Sequence, residues 1–143
     1  MQIRDSIFET NSSSTHSFVI RPNKLINSEK YEQVEFKRKP KIMYIPTGGF
    51  GWGYEELSDW KDRASYLATY AYEINDQTER ESAIAEFEEV MSKYLLVPVK
   101  IRWYENSHID HQSIDIAEEL FKDIINTVFR KNGVIIIDND NRY

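Results

Sequence analysis

Leu57, Trp60, Ala64, Leu67, Ala68, Ala71 and Ile74 recur at three- and four-residue spacing. That period matches the turn of an α-helix and gathers the seven side chains on one stripe, which needs an apolar surface to cover it. Ser58 or Asp59 stands in place to cap the helix start. A second stripe of Ile84, Phe87, Val90, Met91, Tyr94 and Leu95 follows directly, and Thr78 with Glu81 has the spacing of a capping box. The chain must bury two consecutive amphipathic helices.

Elsewhere the period falls to two. Phe18, Val19 and Ile20 make a short apolar run that ends at Pro22 and Asn23, which predicts a strand over 17–21. Val34 and Phe36 share one face against Gln33, Glu35 and Lys37, and a third strand is expected over 42–45, closed by Pro46. Val97, Val99, Ile101 and Trp103 alternate with Lys100, Arg102 and Tyr104, with Pro98 expected at the beginning of that strand or on a sheet edge. Ser113 can cap a third helix carrying Ala117, Leu120, Phe121, Ile124, Ile125 and Val128, with Arg130 and Lys131 at its favourable end and Gly133 as its stop. Residues 134–137 read as a buried strand, and Asp138 to Asn141 as a polar turn behind it. These periods predict an α+β fold: a single domain over 1–143, a mixed or antiparallel sheet, about three helices and the order βββααβαβ.

Composition limits the function classes. Hydrophobic residues make up 41% of the chain and aromatics 13%, enough for a packed core without a disulfide or structural metal. With no cysteine, thiolate zinc sites and Cys nucleophiles are excluded, so any metal must be held by His, Asp or Glu. No segment resembles a signal peptide or approaches ~20 consecutive apolar residues, so cytoplasm is the expected compartment and no membrane partner is expected. A net charge of −6 disfavours non-specific binding to nucleic-acid phosphates. Lys37, Arg38, Lys39 and Lys41 form a local basic cluster around Pro40, read as a solvated turn between strands.

Two polar segments contain every histidine. The first gathers Thr10, Asn11, Ser12, Ser13, Ser14, Thr15, His16 and Ser17, whose hydroxyl, amide and backbone donors suit a phosphate or carboxylate; the bland alternative is a polar turn that satisfies its own backbone. It lacks the glycines and lysine of a P-loop. The second is His108, Ile109, Asp110, His111, Gln112 and Ser113, just ahead of the third helix. The helix N-terminus favours anions and disfavours imidazolium, so a neutral His108 or His111 can serve as base or metal ligand, with Asp110 orienting it. Two local ligands for a divalent metal would need a third, from His16, Asp138 or Asp140; the alternative is a capped helix start with surface histidines.

Four of the five glycines fall within 48–53, interleaved with Phe50 and Trp52 and followed by Tyr54. These aromatics form either a mobile lid or protein-binding knob, or rings packed inward around glycine turns. Asp138 and Asp140 read as turn residues rather than a paired-carboxylate site, and Tyr66, Tyr70 and Tyr72 as core and rim packing.

The run FETNSSSTH from Phe8 to His16 resembles a segment near the N-terminus of a group of small, largely uncharacterised proteins encoded by bacteriophages and bacteria. The later GFGWGYE, beginning at Gly49, and HIDHQS, beginning at His108, are similar to that group as well, so the resemblance spans most of the chain. It implies a phage-type origin, hence the host cytoplasm, and no mechanism. The leading expectation is a site for a phosphate-containing or other anionic small ligand, with His16, His108, His111 and Asp110 as catalytic candidates and Thr10, Asn11, Ser12, Ser13, Ser14, Thr15 and Ser113 as ligand-binding ones. Metal-assisted hydrolysis is one form of its chemistry. The alternative is a non-enzymatic acidic inhibitor that binds a host protein.

Overall fold

The computed structural model describes residues 14–22, 29–110 and 114–139. In chain order these form β1 (Ser14–Ile20), β2 (Met43–Pro46), β3 (Gly49–Phe50), β4 (Glu55–Leu57), α1 (Trp60–Tyr72), α2 (Gln77–Leu95), β5 (Val99–Arg102), β6 (His108–Ile109), α3 (Ile114–Phe121), α4 (Ile124–Phe129) and β7 (Gly133–Asn139). The fold is α+β, as the mixed periods predict.

The apolar run of β7 takes the middle of an antiparallel three-stranded sheet, with β1 on one side and β4 on the other. Ile137 lies opposite His16 in one ladder and Glu55 in the other. Ile135 and Ile137 face the core, while on the other face Val134 is buried and Ile136 half-buried. The order differs from βββααβαβ, because very short strands carry almost no periodic signal. Glu55–Leu57 has one buried apolar residue, Leu57, and Gly49–Phe50 and His108–Ile109 are two residues each.

Two parallel pairings join the chain before and after the helical pair. β2 runs beside β5, with Met43 opposite Val99 and Pro46 opposite Arg102, and β3 runs beside β6, with Gly49 opposite His108. The return from one parallel strand to the next requires a long crossover, which α1 and α2 supply. Between the two pairings, residues 103–107 bulge outward. Thr47 anchors the bulge by accepting from the Tyr104 amide at 2.9 Å and sharing a 2.7 Å hydrogen bond with the Ser107 hydroxyl.

Helix α1 sits at the centre: Ala64, Tyr66, Leu67, Ala68 and Ala71 have no exposed surface, and α2, α3, α4 and β2 all pack on it. Its small residues let neighbours approach closely from several sides. Helix α2 is capped by Asp76, whose carboxylate accepts from the Glu79 amide at 2.9 Å, two residues ahead of the expected Thr78 box. The expected third helix is broken in two. Asp123 accepts from the Asn126 amide and Thr127 donates its hydroxyl to the Leu120 carbonyl, so local side chains satisfy the groups a continuous helix would pair. The strand expected around Val34 and Phe36 does not form; both residues pack on the core from an extended segment whose Glu32 amide donates to the Phe129 carbonyl at 2.7 Å.

Arg63 is fully buried, and each of its five N–H groups meets a carbonyl: Thr127, Ser58, Gly133, Val128 and Arg130. Three of these acceptors lie at the C-terminal end of α4, where carbonyls lack intrahelical partners and a cation is favoured. The guanidinium joins that helix end to the start of β7 and to the entry of α1. Glu32 lies 3.6 Å away and offsets its charge.

Candidate functional site

The start of β1 brings Ser14 and His16 to the buried face of its strand, since residues two apart share a face. His16 is 3% exposed. Its Nδ1 lies 2.8 Å from the Tyr66 hydroxyl on α1 and its Nε2 2.9 Å from Ser14 Oγ. Ser14 in turn donates its hydroxyl to Asp110 Oδ2 at 2.8 Å, and its amide donates to the same oxygen at 3.1 Å. A hydroxyl has one proton, so with Ser14 donating to Asp110 the imidazole must donate from Nε2 and accept at Nδ1 from Tyr66. Protons therefore point one way, from Tyr66 through His16 and Ser14 to Asp110.

Electrostatics agree with that polarity. Burial lowers the His16 pKa from 6.5 to about 4, against the opposing pull of the Asp110 charge, so the ring is neutral near pH 7. Burial also pushes the Tyr66 phenol well above its ordinary value, which keeps its proton in place as a donor. Gly51 completes the packing at φ 109°, and a Cβ there would lie 2.6 Å from Asp110 Cβ and 3.1 Å from Ser14 Oγ. Only glycine fits both the conformation and the space.

This arrangement is not a nucleophile–base pair. In a serine hydrolase the serine donates to the histidine and the carboxylate orients that histidine; here the serine donates to the carboxylate and tyrosine occupies the other ring nitrogen. The network ties β1, α1 and the end of β6 together.

His108 belongs to a second cluster. Its Nδ1 lies 2.6 Å from Glu73 Oε2, while Glu73 Oε1 accepts from the Ile109 amide at 2.7 Å. A carboxylate accepts only, so Nδ1 carries a proton and donates it to Glu73. The Trp52 indole, 66% exposed, stacks on the imidazole with centroids 5.8 Å apart. Beside them lies an open cleft of about 430 Å³ lined by Tyr72, Glu73, Arg80, Trp103 and His108 among others. Tyr72 and Trp103 stack on each other at 5.4 Å. Arg80 is held by the Ile74 and Asn75 carbonyls at 2.9 and 3.4 Å and makes no ion pair among the described residues, so its charge is available to the cleft.

Of the residues singled out from sequence, Ser14, His16 and Asp110 come together, and His108 lies apart with different partners. Thr15 is exposed on β1 opposite Asp138, which continues β7 instead of opening a turn. Thr10, Asn11, Ser12, Ser13, His111, Ser113 and Asp140 lie outside the described residues. Among the described residues no group of three or more His, Asp or Glu side chains is placed to hold a metal ion. The glycine-rich segment divides its aromatics: Phe50 is buried, whereas Trp52 and Tyr54 stand out.

Tyr66 and Glu73 were missed as site residues, yet each carried a signal. Tyr66 lies among the buried alanines and leucines of α1, where a phenol needs a hydrogen-bond partner. Glu73 is an acid at the C-terminal end of α1, where the helix dipole disfavours it; the His108 ring and the Ile109 amide provide the compensation.

The fold and the two clusters define an α+β protein with a buried polar relay and an aromatic, histidine-bearing cleft. Set against models of protein families, curated proteins and solved structures, the chain matches none. Among the described residues no helix is long and apolar enough to cross a membrane.

Proposed function

We propose that the cleft beside His108 binds a small anionic ligand that carries both a flat ring and a phosphate or similar group. The observation that carries this reading is the placement of His108, oriented by Glu73 and stacked on Trp52, at a cleft that also presents the Arg80 guanidinium. Arg80 supplies the charge for an anion. Trp52, Trp103 and Tyr72 supply faces on which a ring can stack, worth about 1–3 kcal/mol per stacked base in comparable sites. His108, with Nδ1 turned to Glu73, is placed to exchange a proton with the ligand, which is general acid–base chemistry. A volume of about 430 Å³ falls within the usual range for small-molecule sites. The relay through His16 supports the site by holding β1 and α1 against the end of β6. A metal-assisted form of the reaction would draw at least one ligand from outside the described residues.

The test is a tryptophan-fluorescence titration with adenosine monophosphate as probe, and with adenosine and inorganic phosphate as its separate halves. The monophosphate should quench emission and bind tighter than either half, and Arg80→Ala and His108→Ala should each weaken it about tenfold with the melting temperature nearly unchanged. Quenching in both variants as tight as in the parent, or no quenching of the parent up to about 10 mM probe, sinks the reading.

The exposure of Trp52 at 66% and Tyr54 at 49% favours a second reading, in which these rings dock on a host protein without catalysis. A pull-down from bacterial lysate in which Trp52→Ala/Tyr54→Ala loses one specific partner, while His108→Ala retains it, would favour docking over the cleft.

A further inference from the structure

The net charge of −6 conceals a segregation that the fold makes spatial. Residues 36–54 and 96–104 contain no Asp or Glu, yet hold Lys37, Arg38, Lys39, Lys41, Lys100 and Arg102, a third of the chain's 18 basic residues. The parallel pairing of β2 with β5 sets residues 43–46 of the first stretch beside 99–102 of the second, and Lys37 to Lys41 lie on the chain leading into it.

Burial alternates along both strands. Ile45, Val99 and Ile101 face the core, while Tyr44, Lys100 and Arg102 face outward. Tyr44 lies opposite Lys100 in the ladder, and the Arg102 guanidinium sits 4.2 Å above the Tyr44 ring. Lys37, Arg38, Lys39 and Lys41 are exposed on the segment that leads into β2 and form no ion pair among the described residues. Lys100 is the exception, 3.6 Å from Glu88. At the other end β5 runs out to Trp103 and Tyr104, both well exposed.

We infer that the outer face of the β2–β5 ribbon binds single-stranded nucleic acid, with phosphates on the Lys37 to Lys41 cluster and Arg102, and bases on Tyr44 and the exposed rings beyond β5. The reason is charge complementarity combined with ring spacing. A basic track alone attracts any polyanion, whereas exposed aromatic faces interleaved with it accept unstacked bases, which duplex DNA and sulfated polysaccharide do not offer. The −6 charge of the whole chain repels nucleic acid at long range, so binding falls to this one face and is strongly salt-dependent. The inference shares Trp103 with the rim of the His108 cleft but makes no use of His108, Glu73 or Arg80.

The experiment is fluorescence anisotropy of the full chain with a labelled oligothymidylate of about 20 nucleotides and an RNA of equal length, at several salt concentrations. If about five cations meet phosphates, log K should fall against log salt with a slope near −3.5. Lys37→Glu/Lys39→Glu/Lys41→Glu should weaken binding more than tenfold and flatten the slope. Tyr44→Ala should weaken it severalfold and leave the slope unchanged. His108→Ala should bind as the parent does, which separates this inference from the cleft. Circular dichroism confirms that the surface variants are folded. No binding at about 50 mM salt overturns the inference. So does equal competition by heparin and duplex DNA with no effect of Tyr44→Ala, which would mean polyanion attraction only.

Discussion

Acidification should loosen this fold through His16. The folded chain holds the imidazole neutral down to about 4, whereas the unfolded chain protonates it at 6.5. Between those values the unfolded state binds a proton that the folded state refuses, so the contribution of His16 is complete above 6.5 and is lost progressively as the pH falls toward 4. At ~1.4 kcal/mol per pH unit, the displacement corresponds to roughly 3 kcal/mol. The structural cause is the relay: a second proton on His16 would sit on Nδ1, facing the Tyr66 hydroxyl that now donates to it, in a site with almost no exposure. Asp110 across Ser14 favours the cation, and it opposes the burial effect without cancelling it. The assay is urea unfolding of the parent and of His16→Gln at about pH 7.5 and about pH 4.5. Glutamine cannot titrate, and the raised carboxyl groups of Glu55 and Asp62, whose stabilisation runs the opposite way with pH, are present in both proteins and cancel. The stability advantage of the parent over His16→Gln should shrink by roughly 2.5 kcal/mol between the two pH values. An advantage that does not change with pH, or a His16 resonance that titrates near 6.5, would refute the argument.

Two further expectations concern stability. Arg63→Met should cost about 4 kcal/mol in urea unfolding, because it strips the donor from five carbonyls, most of them buried, and Arg63→Lys should recover only part, since an ammonium has three donors and no fork. Leu96→Gly should stabilise the chain by up to about 1 kcal/mol, because Leu96 ends α2 in the left-handed region at φ 59° while 72% exposed, so glycine removes backbone strain and gives up little packing; a lowered melting temperature would count against this.

What residue order determined by itself was the local element type wherever periodicity ran long enough. α1, α2 and β5 are readable because their side chains repeat the period of the element over several residues, and β7 because its apolar run has the length of a strand. The mixture of the two periods also sufficed for the α+β class. Strands of two or three residues hold no period, so β3, β4 and β6 exist only because a neighbouring backbone offers them a ladder. The joining of Ser14 to Asp110, 96 residues apart, and of His108 to Glu73 across 35, rests on which strands lie side by side, and no local pattern records that. Tertiary structure likewise decided the roles of the histidines. Burial next to Tyr66 makes His16 a neutral link in a relay, and exposure between a carboxylate and an indole makes His108 the ring that faces a cleft; the side chain is the same in both, and its surroundings assign the chemistry.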